Sequence, residues 1–479
     1  MNWIQASKRG RLSPFPNYIS MQGITSVMND VVGYSYEKIL LIFQNRMMHV
    51  FWGKEDSERI KRLALEKAKN DPEIIKRLIE KVEKLGIEFI DFTKRIHNSD
   101  LTKKSDKELL DLYKKYCKDY KQIYSHYFVI LTMENSVLEF LDNFLTGKHL
   151  DEERQSSYLS ILTTNTKAMF TKEEEKELLK IALDIQEEID KRIKKHTGKY
   201  FWLTRDYEDP ISTEGDFLKK LSKFVKTDEK VKEKFEEIEN FYTTQEKKIK
   251  EIERELDIDD FHSKLFELMR DGIYLKELRK KLVSESLYYM DKLLIEIGRR
   301  YNLTLKQIRL LMVEEVEEMI KNKTNYSDLL DSRIELSVYF AENGKTKVFH
   351  GEEAEKIKNQ VIAIPDDIKE LKGLAVSPGK AKGPVKIVFD PVDISKVKPG
   401  DVMVTVQAVP SFTPAIKIAS ALIADGGTGI TSHPATLARE AGIPGITGVK
   451  IATEVLKDGD IVEVDGDKGV VRKLEVKEK

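Results

Sequence analysis

The sequence predicts a multidomain protein: a mainly α-helical N-terminal region with short β-hairpins, followed by a C-terminal α/β domain. Three observations predict it. The chain has 479 residues, too many for one compact core. Charged residues make up 34% of it and hydrophobic ones 41%, the balance of a globular chain with much solvated helix surface. Composition also changes near residue 365: about half of the 25 glycines lie beyond that point, and most Glu/Lys-rich helical runs lie before it.

The formal net charge of −1 gives no global pull towards nucleic acid or an acidic membrane. Cys117 is the only cysteine, which excludes a disulfide framework and a cysteine metal site and suits a reducing compartment. The first twenty residues hold no apolar core segment, and no apolar stretch approaches the roughly 20 residues of a membrane span. A cytoplasmic location is expected, with neither nucleic acid nor membrane as partner.

Residues 1–53 read as an irregular segment carrying a hairpin, because KILLIFQNRMMHVFW (38–52) is two apolar runs around Gln44-Asn45-Arg46. Residues 54–352 read as a helical domain. Asp71-Pro72 signals a helix start and Gly86 a stop. Ser105 with Glu108, and Thr171 with Glu174, suggest capping boxes. Tyr113, Tyr116, Tyr120, Tyr124 and Tyr127 recur at helical spacing, a stripe more often core than ligand box. Further helices are expected over 214–226, 228–255, 259–270, 273–300 and 304–321. A hairpin is expected around Glu342-Asn343-Gly344. Residues 353–372 read as a linker with a few hinge points around Pro365.

The C-terminal domain, 373–479, should alternate strands and short helices. Strands are expected at 385–389, 402–406 and 421–424, a short helix at 413–420, and a hairpin around Asp465-Gly466-Asp467. Its informative segment is DGGTGITSHPATLAREAGIPGITG. Glycines 426, 427 and 429 lead into Thr431-Ser432-His433. Pro434 suits the first helical turn, and Gly442 ends a helix carrying Leu437, Ala438 and Ala441 on one face. His433 therefore stands at a helix N-terminus, where unpaired N–H groups and the positive end of the dipole suit a phosphate. The Thr431 and Ser432 hydroxyls add donors, and imidazole is a nucleophile near neutral pH. Glycine turns before helices are nevertheless common, and a histidine near a helix start is usually a surface or capping residue.

GLAVSPGKAKGPVKIV, GDVMVTV, TSHPATLAREAGIPGITG and DGDIVEVDGDKGVV together resemble, collinearly over about residues 372–474, the swivelling phosphohistidine domain of PEP-utilising enzymes. That family includes phosphoenolpyruvate synthase, pyruvate phosphate dikinase and rifampicin phosphotransferase. The resemblance implies that His433 carries the phosphoryl group, that Gly429, Thr431 and Ser432 bind it, and that Arg439 and Glu440 help to build the domain. This chain has Thr428-Gly429 where the family usually has paired glycines, Pro434 where it has alanine, and Ala408-Val409-Pro410 where a threonine commonly precedes the proline.

Full-length members also carry an ATP-grasp domain that charges the histidine and a domain that supplies donor or acceptor. Residues 1–360 show neither a glycine-rich nucleotide loop nor a barrel-forming strand–helix series. They more weakly resemble the helical substrate domain of rifampicin phosphotransferase, through KYFWLTRDYEDP and LLIEIGRRYNLTLKQIRLLMVEEVEEMI. The resemblance implies a phosphotransferase component that binds no cofactor itself. It would depend on a separate ATP-grasp subunit using ATP and magnesium, and would serve an unknown acceptor. The alternative is a non-catalytic regulatory or scaffold protein modified at His433.

Other candidates are weaker. His196, Lys199, Tyr200 and Trp202 form an aromatic-polar junction that reads as a packed helix end. Arg299-Arg300 suits a helix C-terminus. His126, His149, His262 and His350 lack metal-ligand spacing, so no metal site is expected, and Cys117 should be buried and inert.

Overall fold

A computed structural model describes residues 2–10, 13–44, 47–183, 188–205, 207, 210–224, 228–362, 368–389, 391–408, 412–426 and 432–474. Long amphipathic helices dominate the first 350 residues and a mixed sheet the last hundred.

The N-terminal sheet is antiparallel, in the order β1 (Trp3–Gly10), β3 (Met47–Gly53), β2 (Lys38–Gln44), β4 (Leu336–Glu342) and β5 (Lys345–His350). The expected hairpins are β2–β3 and β4–β5. Asn343 and Gly344 adopt positive φ (49° and 76°) in the second turn, the geometry that favours Asn-Gly there; the first turn, Asn45-Arg46, lies outside the described residues. Residues facing alternately along these strands serve two cores. Ile39, Leu41, Met48 and Tyr339 join the main helical core. Leu40, Ile42, Phe51 and Val338 pack with Ala354 from the helix Gly351–Val361.

Residues 10–35 are not the irregular segment expected. β1 ends at Gly10, and helices follow at Pro14–Ile24 and Val27–Val32. Pro14 sits in the first turn, where a missing N–H costs nothing. Every residue from Pro14 to Ile24 is buried, so tertiary packing stabilises a segment whose Pro and Gly content suggests coil.

The main core lies among the helices Ile74–Asn98, Asp106–Thr146 and Asp260–Arg300, which pack on one another. Gly86 does not stop a helix but lies inside the first of them; a Cβ there would stand 2.7 Å from Leu282 Cδ2, so glycine permits the close crossing. Asp71-Pro72 precedes that helix by a turn rather than starting it. Residues 260–300 form one continuous helix of 41 residues where two were expected, and 304–321 divides into Leu305–Ile308 and Val313–Asn322. The Ser105–Glu108 capping box forms with both of its hydrogen bonds. The Thr171–Glu174 one does not: the helix begins at Phe170, and the Thr171 amide donates to Glu277. The linker expected at 353–372 is largely the helix Gly351–Val361 and the short strand Glu370–Lys372, with Pro365 outside the described residues.

The C-terminal sheet runs β6 (Glu370–Lys372), β13 (Val470–Lys473), β12 (Ile461–Asp465), β8 (Lys380–Ile387), β9 (Val402–Thr405), β10 (Ala421–Ala424), β11 (Gly445–Thr447) and β7 (Leu374–Ser377). Strands β8, β9, β10 and β11 are mutually parallel. β6 and β7, separated only by Gly373, form its two ends. One extended segment therefore pairs with β13 on one side and with β11 on the other, drawing both edges together. A Cβ on Gly373 would stand 2.5 Å from the Thr447 carbonyl oxygen, so the crossing needs glycine. The expected 413–420 helix is shorter, Thr413–Ile416.

Candidate functional site

The segment around His433 joins strand β10 to the helix His433–Ala441. Ser432 is the N-cap, with extended φ −62° and ψ 153°, and Gly442 closes the helix in the left-handed conformation at φ 65°. Pro434, Ala435, Leu437 and Ala438 are buried against the sheet. The backbone of His433 is thus the first helical residue, where amide N–H groups lack intrahelical acceptors. Gly429 and Thr431, like Thr428, lie outside the described residues, as does the His433 side chain. Arg439 donates from Nη1 to the Val376 carbonyl of β7 at 3.2 Å, tying the helix to the sheet edge. Glu440 is exposed.

The start of the loop is held firmly. Asp425 follows β10 directly, and its carboxylate accepts from the Ala452 amide (2.6 Å), the Thr453 amide (3.2 Å) and the Thr453 hydroxyl (2.5 Å). The next residue, Gly426, donates its amide to Val406 and accepts from the Gly448 amide. Asp425 and Gly426 thus form an anchored post at the end of β10.

Lys8 of β1, more than four hundred residues away in sequence, grips that post. Its Nζ donates to Asp425 Oδ2 at 2.6 Å, Thr453 Oγ1 at 2.7 Å, Glu454 Oε2 at 2.6 Å and the Lys450 carbonyl at 3.3 Å. His49, paired with Lys8 across β1 and β3, stands 3.5 Å from Glu454 and accepts from the Gln5 amide at 3.1 Å through Nδ1. Burial, then the nearby Lys8 and Lys358 charges, lower the His49 pKa to about 3, so the ring is neutral at neutral pH. Burial also raises the Glu454 carboxyl pKa, opposed by Lys8 and reinforced by Asp425. The C-terminal domain is therefore docked on the N-terminal sheet through a buried ionic cluster. Nothing in the local sequence around Lys8 signals this; the contact exists only in the folded chain.

The other residues singled out from the sequence have ordinary partners. His196 is buried between Tyr200 and Phe217 and meets Glu174 Oε1 at 3.2 Å. Trp202 donates to the Lys199 carbonyl. Arg300 pairs with Glu296 and Asp106, and Arg299 with Glu296. Cys117 is buried, which raises its thiol pKa. Among the described residues no group of three or more His, Cys, Asp or Glu side chains is placed to hold a metal ion, and no helix is long and apolar enough to cross a membrane. The tyrosine stripe is core at Tyr113, Tyr116, Tyr120 and Tyr127, and Tyr124 and Tyr127 also wall a cavity of about 350 Å3 that receives Arg9 and Arg279.

The model of the family described as "PEP-utilising enzyme, mobile domain" matches residues 397–469. A probable phosphoenolpyruvate synthase of Archaeoglobus fulgidus is 36% identical over 178 residues, 36% of this chain and 23% of that protein. The phosphoenolpyruvate synthase of Pyrococcus furiosus is 41% identical over 144 residues, 29% of this chain and 18% of its own. An uncharacterized phosphotransferase of Bacillus subtilis is 44% identical over 119 residues, 25% of this chain and 14% of its own. The chain spans less than a quarter of the length of these relatives. The helix bearing His433 and the anchored post before it lie within residues 397–469, the stretch that is similar to the mobile domain of PEP-utilising enzymes.

Proposed function

We propose that this chain is a phosphotransferase component that carries a phosphoryl group on His433 from an ATP-grasp subunit, using ATP and magnesium, to an acceptor held by the helical region. The observation that carries the reading is the backbone position of His433, first residue of a helix, within a PEP-utilising mobile domain. In charging, an imidazole nitrogen forms a P–N bond as a P–O bond of ATP breaks, the departing phosphate oxygen keeping that electron pair and the ring losing its N–H proton. In discharge, an acceptor oxygen forms a P–O bond while the P–N electron pair and the acceptor's proton return to the ring. Helix-terminal amides and the Ser432 and Thr431 hydroxyls stabilise the anionic group in both steps. A carrier must visit two sites, and the Lys8 cluster supports one defined parking position for it.

The non-catalytic alternative needs no acceptor site. The partly polar cavity in the helical region favours the transferase over it. The test is phosphoryl transfer in vitro. The chain with magnesium and ATP alone should stay unlabelled, and adding the ATP-grasp subunit should label it. His433→Ala should abolish labelling. Labelling that persists in His433→Ala overturns the carrier assignment, and strong self-labelling overturns the separate-subunit assignment.

A further inference from the structure

The cavity walled by Tyr124 and Tyr127 lies on the helix-facing side of the N-terminal sheet. Its deep wall is aromatic and apolar: Tyr36, Met48, Tyr127 and Tyr207 are buried there. Its mouth is marked by the exposed residues Arg9, Leu131 and Asn135. Two guanidinium groups enter this space, one from the mouth and one from the wall.

Arg279 is the informative one. Two buried arginines meet carboxylates: Arg333 binds Glu315 through two nitrogens at 2.7 and 2.6 Å, and Arg205 meets Asp291 at 2.9 Å. Arg279 meets rings instead. Its guanidinium lies 4.8 Å from the centre of the Tyr127 ring, its Nη1 donates to the Tyr207 hydroxyl at 3.4 Å, and its buried Nε, like that of Arg333, has no hydrogen-bond partner among the described residues. Among the described residues one carboxylate lines the cavity, Glu134, and it is paired with Lys276. Burying a cation without a counter-charge is costly unless an anion completes the site. Burial raises the Tyr124 and Tyr127 phenol pKa values, and both Arg279 and Arg9 oppose it, so the two cations act on one space.

We propose that this cavity binds a small molecule with a flat apolar body and one anionic group, a carboxylate or a phosphate ester, whose charge is met by Arg279 and Arg9. A volume of about 350 Å3 lies at the lower end of small-ligand sites, enough for a single-ring compound. Strand β1 links the cavity to the docked mobile domain: Arg9 lines the mouth from one face while Lys8 grips Asp425 from the other. Naming the bound molecule as the phosphoryl acceptor rests on the carrier reading above; the binding itself does not.

Calorimetric titration of the full chain with benzoate, phenyl phosphate and neutral benzyl alcohol tests the proposal. At least one anion should bind saturably, one per chain, about tenfold or more tighter than benzyl alcohol, as a charge-assisted contact warrants. The preferred anion tells a carboxylate from a phosphate ester. Arg279→Met should weaken anion binding at least about tenfold and leave benzyl alcohol unaffected. Arg9→Met, at an exposed position, should weaken it in the same direction and serves if the first variant does not fold. The carrier reading is read out by phosphorylation of His433 and the cavity reading by anion binding to the arginine variants, so their failures give different results. No saturable binding by either anion, or anion affinity unchanged in the folded arginine variants, overturns the proposal.

Discussion

At the scale of single residues, the cost of leaving a buried charge unpaired separates supports from sites. Arg333 is buried, spans Glu315 with two hydrogen bonds and donates to the Leu310 carbonyl. Arg333→Ala should destabilise the helical region by about 3 kcal/mol, since Glu315 is left without its partner; urea unfolding checks this, and an unchanged midpoint would contradict it. His433 contrasts with it. Its expected position was readable because every signal is local: a glycine-rich entry, a proline in the first turn, a glycine at the end. Arg279 was not readable, because its contacts with Tyr127 and Tyr207 join stretches of chain far apart in sequence.

At the scale of elements, the helix His433–Ala441 is positioned by close packing on β11. A Cβ on Gly445 would stand 2.7 Å from the Ala438 Cβ and 3.2 Å from the Ser377 Cβ. Gly445→Val should push that helix off the sheet, destabilise the C-terminal domain by about 2 kcal/mol and lower phosphorylation of His433. Normal phosphorylation with normal thermal stability would show that the helix does not depend on this contact. The Ser105 capping box was legible because its two hydrogen bonds span three residues. Gly86 was misread as a stop, and 14–24 as coil, because local propensity cannot see Leu282 or the core that buries every residue of the second segment. The order of the C-terminal sheet was hidden for the same reason: it depends on β6 and β7 pairing with opposite edges.

At the scale of the whole molecule, the docked arrangement depends on Lys8, His49, Asp425 and Glu454. Lys8→Ala removes the cation from two carboxylates, so the C-terminal domain should detach; small-angle scattering should report a larger radius of gyration. An unchanged radius would show that other contacts hold the dock. The cluster also predicts a pH response. The His49 pKa of about 3 in the fold lies below its ordinary 6.5, so the folded form takes up fewer protons than the unfolded one. Its contribution is complete above about pH 6.5 and is lost as pH falls towards 3. Glu454, with its pKa raised, acts in the opposite sense, its contribution being lost as pH rises. His49→Gln isolates the first effect: the unaltered chain should lose stability between pH 7 and 5.5 relative to this variant, and parallel curves would contradict it.

The measurement that bears most directly on the account is mass spectrometry, under alkaline conditions that preserve phosphohistidine, of the protein recovered from its own cell. A single phosphorylated histidine, His433, is expected, with an occupancy that falls when acceptor is supplied. A protein with no phosphate on that residue, or with phosphate only elsewhere, contradicts it.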